Sequence, residues 1–490
     1  MTSSLPGFLF AIPFFAAIVI PVVGFTNQKL CRPIALGALV FLSIVSVIGL
    51  SEAVSHGPLS HEFGGWAPPI GIEWVIDGLS GLLMVAISVV SLIALVHAGP
   101  LVEKELSGRV IPFYSLSLLL IAALGGMVLT GDLFNLFVFL EIGSLASYVL
   151  VGVAGGRSLL SAYRYLILGT IGASLYLLGV GYFYAETGTL NMADMAQRLP
   201  DVLNSRAVLT GLIFIVLGLS IKMGLFPLHG WLPDAYTYAP DSCTPLLASV
   251  VTKVPLYAFV RIAFWIFGMA TVSTQIPILV VLGWVGAVAA IVGAYRAIWQ
   301  ENFKRMLAYS SVSSMGLIML GFSLGTETGF AGGLFYVLAD ILMKAALFGV
   351  AGAANYQCGA SIVTDLARLR RNMPWVLVAL VISALSMVGI PPTAGFFGKW
   401  HLVVGALEAE NYFAVVAILV TSMLTALYFF RMFQRVWAEE PLPLVEPHVL
   451  ETPFPIKMSL GVLTFGIIAL GLGSDLVMGL IFESVIPKGF

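Results

Sequence analysis

Apolar runs of about 20 residues recur from one end of this chain to the other, and that feature leaves few folds open. Within lipid the backbone must satisfy its own hydrogen bonds, so a spanning segment is a helix or part of a closed barrel. Runs of this length are helical spans, longer than barrel strands and without their alternation. The chain is therefore expected to be an all-α polytopic membrane protein. Hydropathy with breaks at Gly, Pro and charge places about fourteen spans, near 5–25, 33–53, 72–97, 111–130, 132–154, 162–185, 207–227, 242–268, 276–299, 303–323, 329–355, 375–407, 411–436 and 457–486. The composition agrees: 10% of residues are charged, against about 25% for a soluble domain. The longest polar connections, 186–206 and 437–456, leave no room for a soluble domain. MTSSLPGFLFAIPFF at the N-terminus lacks a positive n-region, so it reads as a first span and not a cleaved signal.

Several classes of function drop out. A net charge of −2 does not suit a nucleic-acid partner. Cys31, Cys243 and Cys358 are scattered, the histidines form no HxxxH or HExxH pattern, and no glycine-rich phosphate loop follows a strand. Neither a metal nor a cofactor is expected.

The basic residues set the expected orientation. With the N-terminus outside the cytoplasm, the odd-numbered loops hold Lys29, Arg32, Lys104, Arg109, Arg157, Arg164, Arg296, Lys304, Arg305, Arg368, Arg370, Arg371, Arg431, Arg435 and Lys457. The other side holds only Arg198, Arg206 and Lys488. Both termini should lie outside.

Five basic residues remain inside spans: Lys222, Lys253, Arg261, Lys344 and Lys399. Arg261 lies near a span end, where it can snorkel. A lysine at mid-membrane costs roughly 2.5–3.5 kcal/mol on insertion scales, so the other four call for a counter-charge, a water-filled cavity or a task. Two of them stand beside proline-broken helices. The seventh span breaks at GLFPLHGWLPD (224–234), with Lys222 and His229, and the twelfth at GIPPTAGFFGKWH (389–401), with Lys399 and His401. The breaks lie five spans apart, an odd number, so the units containing them should be inverted relative to each other, as in many transporters. This divides the chain into N-terminal helices 1–3 (1–110), a first unit of helices 4–8 (111–268), a second of helices 9–13 (276–436) and a C-terminal loop and helix 14 (437–490).

Glu141 lies nine residues after Asp132, about 13 Å deeper at helical rise. It is the carboxylate well inside the first unit and the natural partner of Lys222. Asp340 and Lys344 are i and i+4 on one helix face. The Glu141–Lys222 pair has a static reading, in which it fixes helix packing, and a functional one, in which the lysine releases a proton when its partner moves away or is neutralised. Asp340 and Lys344 read either as a local ion pair that neutralises its own burial cost or as a charge station between the two units. Four buried amines repel one another, which argues against a purely structural array. Trp66, Trp74, His56 and His61 in the 52–74 loop read as interfacial, solvated groups, not ligands.

At these residues the sequence resembles the antiporter-like membrane subunits shared by Mrp-type multisubunit sodium/proton antiporters, respiratory complex I and membrane-bound hydrogenases. The motifs are VIDGLSGLLM (75–84), LTGDLFNLFVFLE (129–141), IKMGLFPLHGWLPDAY (221–236), SVVTKVPLYAFVR (249–261), NFKRMLAYSSVSSMGLIMLG (302–321), LMKAALFGVAG (342–352) and GIPPTAGFFGKW (389–400). GDLFNLFVFLE and the end of the chain after the fourteenth span are similar to the D-type subunits of Mrp antiporters. The resemblance implies that Glu141 and Lys222 are the ion pair of the fifth and seventh spans. Lys253 would be the eighth-span lysine, Lys344 that of the eleventh, and Lys399 the one ending the hydrophilic axis. Asp340 departs from the pattern: relatives usually carry histidine there.

The expectation is thus a proton-translocating subunit of a monovalent cation (sodium)/proton antiporter, without covalent catalysis. Protons would pass along Glu141, Lys222, Lys253, Lys344 and Lys399, with Asp340, His229 and His401 alongside. Its partners would be other membrane subunits (A-, C- and small-subunit types) in a bacterial or archaeal cell membrane. The alternative is the same machinery attached to a hydrogenase or an NADH or ferredoxin oxidoreductase. A scaffold whose charges only hold helices together is the third reading.

Overall fold

A computed structural model describes residues 4–438 and 452–487. The helices are α1 Leu5–Gly24, α2 Cys31–His56, α3 Gly78–Glu105, α4 Val110–Leu129, α5 Leu133–Gly152, α6 Arg157–Thr187, α7 Met192–Val202, α8 Arg206–Met223, α9 Leu232–Tyr238, α10 Thr244–Val250, α11 Lys253–Val260, α12 Ile278–Ile298, α13 Phe303–Ser323, α14 Glu327–Cys358, α15 Leu369–Asn372, α16 Pro374–Val388, α17 Ala394–Glu408, α18 Tyr412–Ala438, α19 Phe454–Leu472 and α20 Ser474–Ser484. Thirteen candidate spans among the described residues are long and apolar enough to cross a bilayer on their own. The expected twelfth span completes fourteen; it is split into α16 and α17, each too short alone. The protein is an all-α polytopic membrane protein.

Polar residues at the helix starts explain where the spans begin. Asp77, Asp132, Asn191, Asn302 and Thr326 each accept a backbone N–H of the first turn, capping α3, α5, α7, α13 and α14. The two broken spans end their first halves alike. α8 stops at Gly224 (φ 68°) and α16 at Gly389 (φ 93°), left-handed positions that suit glycine, and the proline-rich segments follow.

α10–α11, α13 and α14 form the enclosed centre, and α1 and α2 are the least buried of the candidate spans. Helix packing within the two expected units corresponds: α4 packs on α5 as α12 packs on α13, and α6 on α8 as α14 on α16 and α17. Close approach depends on small residues. A Cβ on Gly218 would sit 2.5 Å from the Gly172 carbonyl, and one on Gly316 2.3 Å from the Ala290 nitrogen.

The connections gather on two faces. On one, Glu105 accepts from Asp241 N (2.9 Å), Lys304 meets Asp241 (2.8 Å), Lys104 donates to the Tyr356 carbonyl (2.5 Å), Arg164 pairs with Asp234 (2.8 Å) and Arg431 donates to the Ile298 carbonyl (2.9 Å). These are the basic odd-numbered loops. On the other, Trp74 bridges to Thr130 and Asp132 to Asn191. Lys488, assigned to that side, lies outside the described residues.

Four readings need correction. The eighth span is also interrupted, between α10 and α11; Pro255 has no N–H for the Val251 carbonyl, and its ring crowds the preceding turn. The fourteenth ends at Leu472, and α20 is a separate helix. The 52–74 loop forms a hairpin of β1 (Leu59–Glu62) with β2 (Glu73–Ile76). Trp74 is buried there against Phe10, Phe63 and Phe139, so it is a packing residue and not an interfacial one.

Candidate functional site

The break after α8 places Lys222 in the last turn of a half-helix, buried and facing α5. Glu141, Ser144 and Tyr148 recur at i, i+3 and i+7 on that helix and so share a face. The Lys222 ammonium has three donors and finds three acceptors: Ser144 Oγ at 2.7 Å, Tyr148 OH at 3.3 Å and Glu141 Oε1 at 3.3 Å. Glu141 keeps a quarter of its side chain exposed while Lys222 is almost fully enclosed. The carboxylate is thus the more exposed partner. Trp231, stacked on Tyr165 at 3.9 Å, donates to the Ile221 carbonyl (2.7 Å), which also accepts from Gly224 N (3.1 Å) at the break.

Asp340 stands at the centre with no exposed surface. Its expected partner was Lys344 on the same helix, but Lys253 is nearer. Lys253 Nζ lies 2.8 Å from Asp340 Oδ2, as an ion pair not aligned as a directed hydrogen bond, whereas Lys344 Nζ lies 3.9 Å from Oδ1. Lys344 donates instead to Ser310 Oγ on α13 (2.5 Å). One carboxylate is therefore shared between two ammonium groups from different spans. Lys253 also donates to the Ala248 carbonyl (2.9 Å) near the end of α10.

Lys399 has no carboxylate partner among the described residues. Its ammonium donates to the Met387 and Val388 carbonyls (2.8 and 3.1 Å), the free end of α16. A cation there is favoured by the orphaned carbonyls and the helix dipole. Lys222 precedes its break and Lys399 follows its own. Yet Met387 lies two residues before Gly389, as Lys222 lies two before Gly224, so the two ammonium groups sit at matching levels of the two breaks.

The histidines do not join these contacts. His229 lies near Phe226 and Tyr309, facing α13, and its Nδ1 has no hydrogen-bond partner among the described residues. His401 Nδ1 bonds the Phe397 carbonyl of its own helix (2.7 Å), and its backbone packs against Gly332 of α14. Neither is brought to its expected lysine.

Arg261 is not a snorkelling residue. It forms a two-pronged pair with Asp77 (2.6 and 2.9 Å) and meets no other carboxylate among the described residues. Its guanidinium lies between Tyr257 and Trp265. Asp77 was visible in VIDGLSG, but nothing in the sequence joins it to a residue 184 positions away.

Small cavities adjoin the charges. One of about 20 Å³ is lined by Lys222, Ser144, Ser147, Tyr165, Val251 and Pro255, between Lys222 and the α10–α11 junction. That holds about one water. The arrangement is a series of stations: Glu141 paired with Lys222, then Asp340 shared by Lys253 and Lys344, then Lys399 held by main-chain carbonyls alone.

A family profile described as "NADH:quinone oxidoreductase/Mrp antiporter, TM" matches residues 130–425, which include every one of these stations. The N-type NADH-quinone oxidoreductase subunit of Desulforudis audaxviator is 42% identical, with 99% of each chain covered. The D-type Na(+)/H(+) antiporter subunit of Alkalihalophilus pseudofirmus is 33% identical over 84% of this chain and 83% of its own. Among solved structures, a chain of the membrane-bound sulfane sulfur reductase, an archaeal respiratory membrane complex, superposes with a TM-score of 0.90 at 31% identity, covering 98% of this chain and 96% of that one.

Proposed function

The chain belongs to the NADH:quinone oxidoreductase/Mrp antiporter membrane-subunit family, and from that premise we propose that it carries protons through the membrane along the buried charge line. Proton movement would be coupled, within a multisubunit complex, to export of sodium or another monovalent cation. The observation that carries this reading is Asp340 shared between Lys253 and Lys344, all three without significant exposure. A structural ion pair needs one amine per carboxylate. Two amines on one carboxylate leave a surplus proton, and whichever amine loses it hands the carboxylate to the other. Lysine suits this because it can give up its proton, while arginine stays charged. Moving one charge through 100 mV is worth about 2.3 kcal/mol, comparable to exchanging one such partner for another.

On this reading the basic face meets the cytoplasm, and both termini lie outside it in a bacterial or archaeal cell membrane. A-, C- and small-type membrane subunits would complete the assembly. The test is cation-driven proton uptake by sealed vesicles bearing the whole complex: an assembled Lys399→Met complex should lose most uptake, and unchanged uptake would reject the line.

A second reading is supported by the 42% identity to a protein named for quinone reduction: the same line could be driven by redox subunits. Iron–sulfur subunits co-purifying with this chain would favour it, and only small membrane subunits would favour the antiporter.

A further inference from the structure

We infer that the helix face bearing Lys253, Tyr257 and Arg261 is a water path from the central charges to the face opposite the basic loops, held shut by the Asp77–Arg261 pair. The inference rests on the translocation reading above and names the outlet that reading needs.

The three residues stand at i, i+4 and i+8, so they stack along one side of α11 and its continuation Arg261–Ile266, with about 12 Å between the two ends. At the outer end a cavity of about 430 Å³ opens among Glu73, Asp77, Thr130, Gln197 and Arg261. Its walls come from the hairpin, the α4–α5 turn and α7, all on the non-basic face. At the inner end a cavity of about 20 Å³ touches Lys253; its other walls are apolar or aromatic side chains, among them Leu256, Val260 and Phe322. Tyr257 lines both cavities. It is the partition between them.

That partition is held by a closed set of bonds. Tyr257 OH donates to the Val128 carbonyl (2.7 Å) and accepts from Arg261 Nε and Nη2 (3.1 and 2.9 Å). Arg261 in turn is clamped by both oxygens of Asp77. Asp77 caps α3 through Ser80 N (2.9 Å), so the clamp is fixed to a helix end and not to a mobile loop. Bidentate arginine–carboxylate pairs are strong and directional. Releasing this one frees Tyr257 to swing and joins the two cavities, which would wet Lys253 from this side. While it is closed, the polar partners of the Lys253 ammonium among the described residues are Asp340 and the Ala248 carbonyl. A pair that merely anchored α3 would not need to end on the aromatic that separates the wide cavity holding Glu73, Asp77 and Arg261 from a buried lysine.

The test uses the assembled complex in sealed vesicles of known orientation, with Cys31, Cys243 and Cys358 replaced by serine and a Leu256→Cys reporter in the inner cavity. An anionic, membrane-impermeant thiol reagent is applied to one face at a time. With Asp77→Asn, labelling from the non-basic face should rise about tenfold, the effect of weakening the closed state by one decade in its equilibrium. Arg261→Lys, which keeps one charged contact, should label more slowly than Asp77→Asn. Labelling that is unchanged in Asp77→Asn, or that rises equally from both faces, overturns the latch. Should Asp77→Asn fail to assemble, Tyr257→Ala is read the same way. Antiport by a Lys222→Ala complex is measured in parallel vesicles. If that activity persists, the translocation reading fails whatever the labelling; if it is lost while labelling never responds, only the latch fails.

Discussion

Replacing Asp340 by asparagine keeps its shape and removes its charge. At an effective dielectric near 20, a unit charge pair at the Lys253 distance of 2.8 Å interacts by about 6 kcal/mol, and one at the Lys344 distance of 3.9 Å by about 4 kcal/mol. Both attractions vanish, and two ammonium groups without exposure then face each other with no counter-charge. At least one of them gives up its proton. The surplus proton that makes the centre a relay is thereby lost, and uptake should fall at least about tenfold, equivalent to about 1.4 kcal/mol on the barrier. The assay is fluorescence quenching of a pH-sensitive amine dye in vesicles bearing equal amounts of assembled complex, with cation added as driver. Asp340→Glu should retain substantial uptake. Lys253→Met is the control for packing: it leaves Asp340 and Lys344 as a neutral i, i+4 pair, so it should assemble better than Asp340→Asn and yet transport as poorly. If Asp340→Asn assembles and transports at the normal rate, the shared carboxylate is not part of the path.

Glu141→Gln should reduce uptake about tenfold or more, with thermal stability of the complex falling only slightly because Lys222 keeps Ser144 and Tyr148; uptake at wild-type rate would contradict its role. Trp231→Phe removes one of two bonds to the Ile221 carbonyl, which Gly224 N still partners, and should cost about 0.5–1.5 kcal/mol, read as a lower melting temperature of the detergent-solubilised complex. Gly316→Leu drives a side chain into the Ala290 backbone and should abolish assembly on native gels, whereas Gly461→Ala, where a Cβ meets nothing within 4 Å, should leave assembly normal.

Much of this architecture is legible in the sequence. The spans are set by apolar length, and their starts by Asp77, Asp132, Asn302 and Thr326, whose side chains cap within three residues. The Glu141–Lys222 pair could be read because one carboxylate lay at the right depth in its unit. The partner of Asp340 could not, because a lysine four residues away offered a local answer, while the nearer amine comes from position 253 through tertiary packing. Lys399 was legible as a buried amine but not as the cap of α16: its acceptors are main-chain carbonyls, which carry no sequence signal. Trp74 and Arg261 were misread for a related reason. Each sits where a hydropathy profile falls off, and position alone does not separate a solvated group from one covered by a hairpin or a carboxylate 184 residues away. His229 and His401 were drawn in by nearness along the chain; His229 lies in the break beside Tyr309, and His401 bonds the Phe397 carbonyl of its own helix.

The most direct test of the charge line is proton flux through the assembled complex with Lys222→Ala, compared with the unaltered complex under the same cation gradient. Lys222 is held by three acceptors on one helix face and stands beside the small cavity that leads toward Val251 and Pro255. If the charge line carries the protons, cation-driven proton uptake falls to the background of empty vesicles while the complex stays assembled. Full antiport by that complex would contradict it.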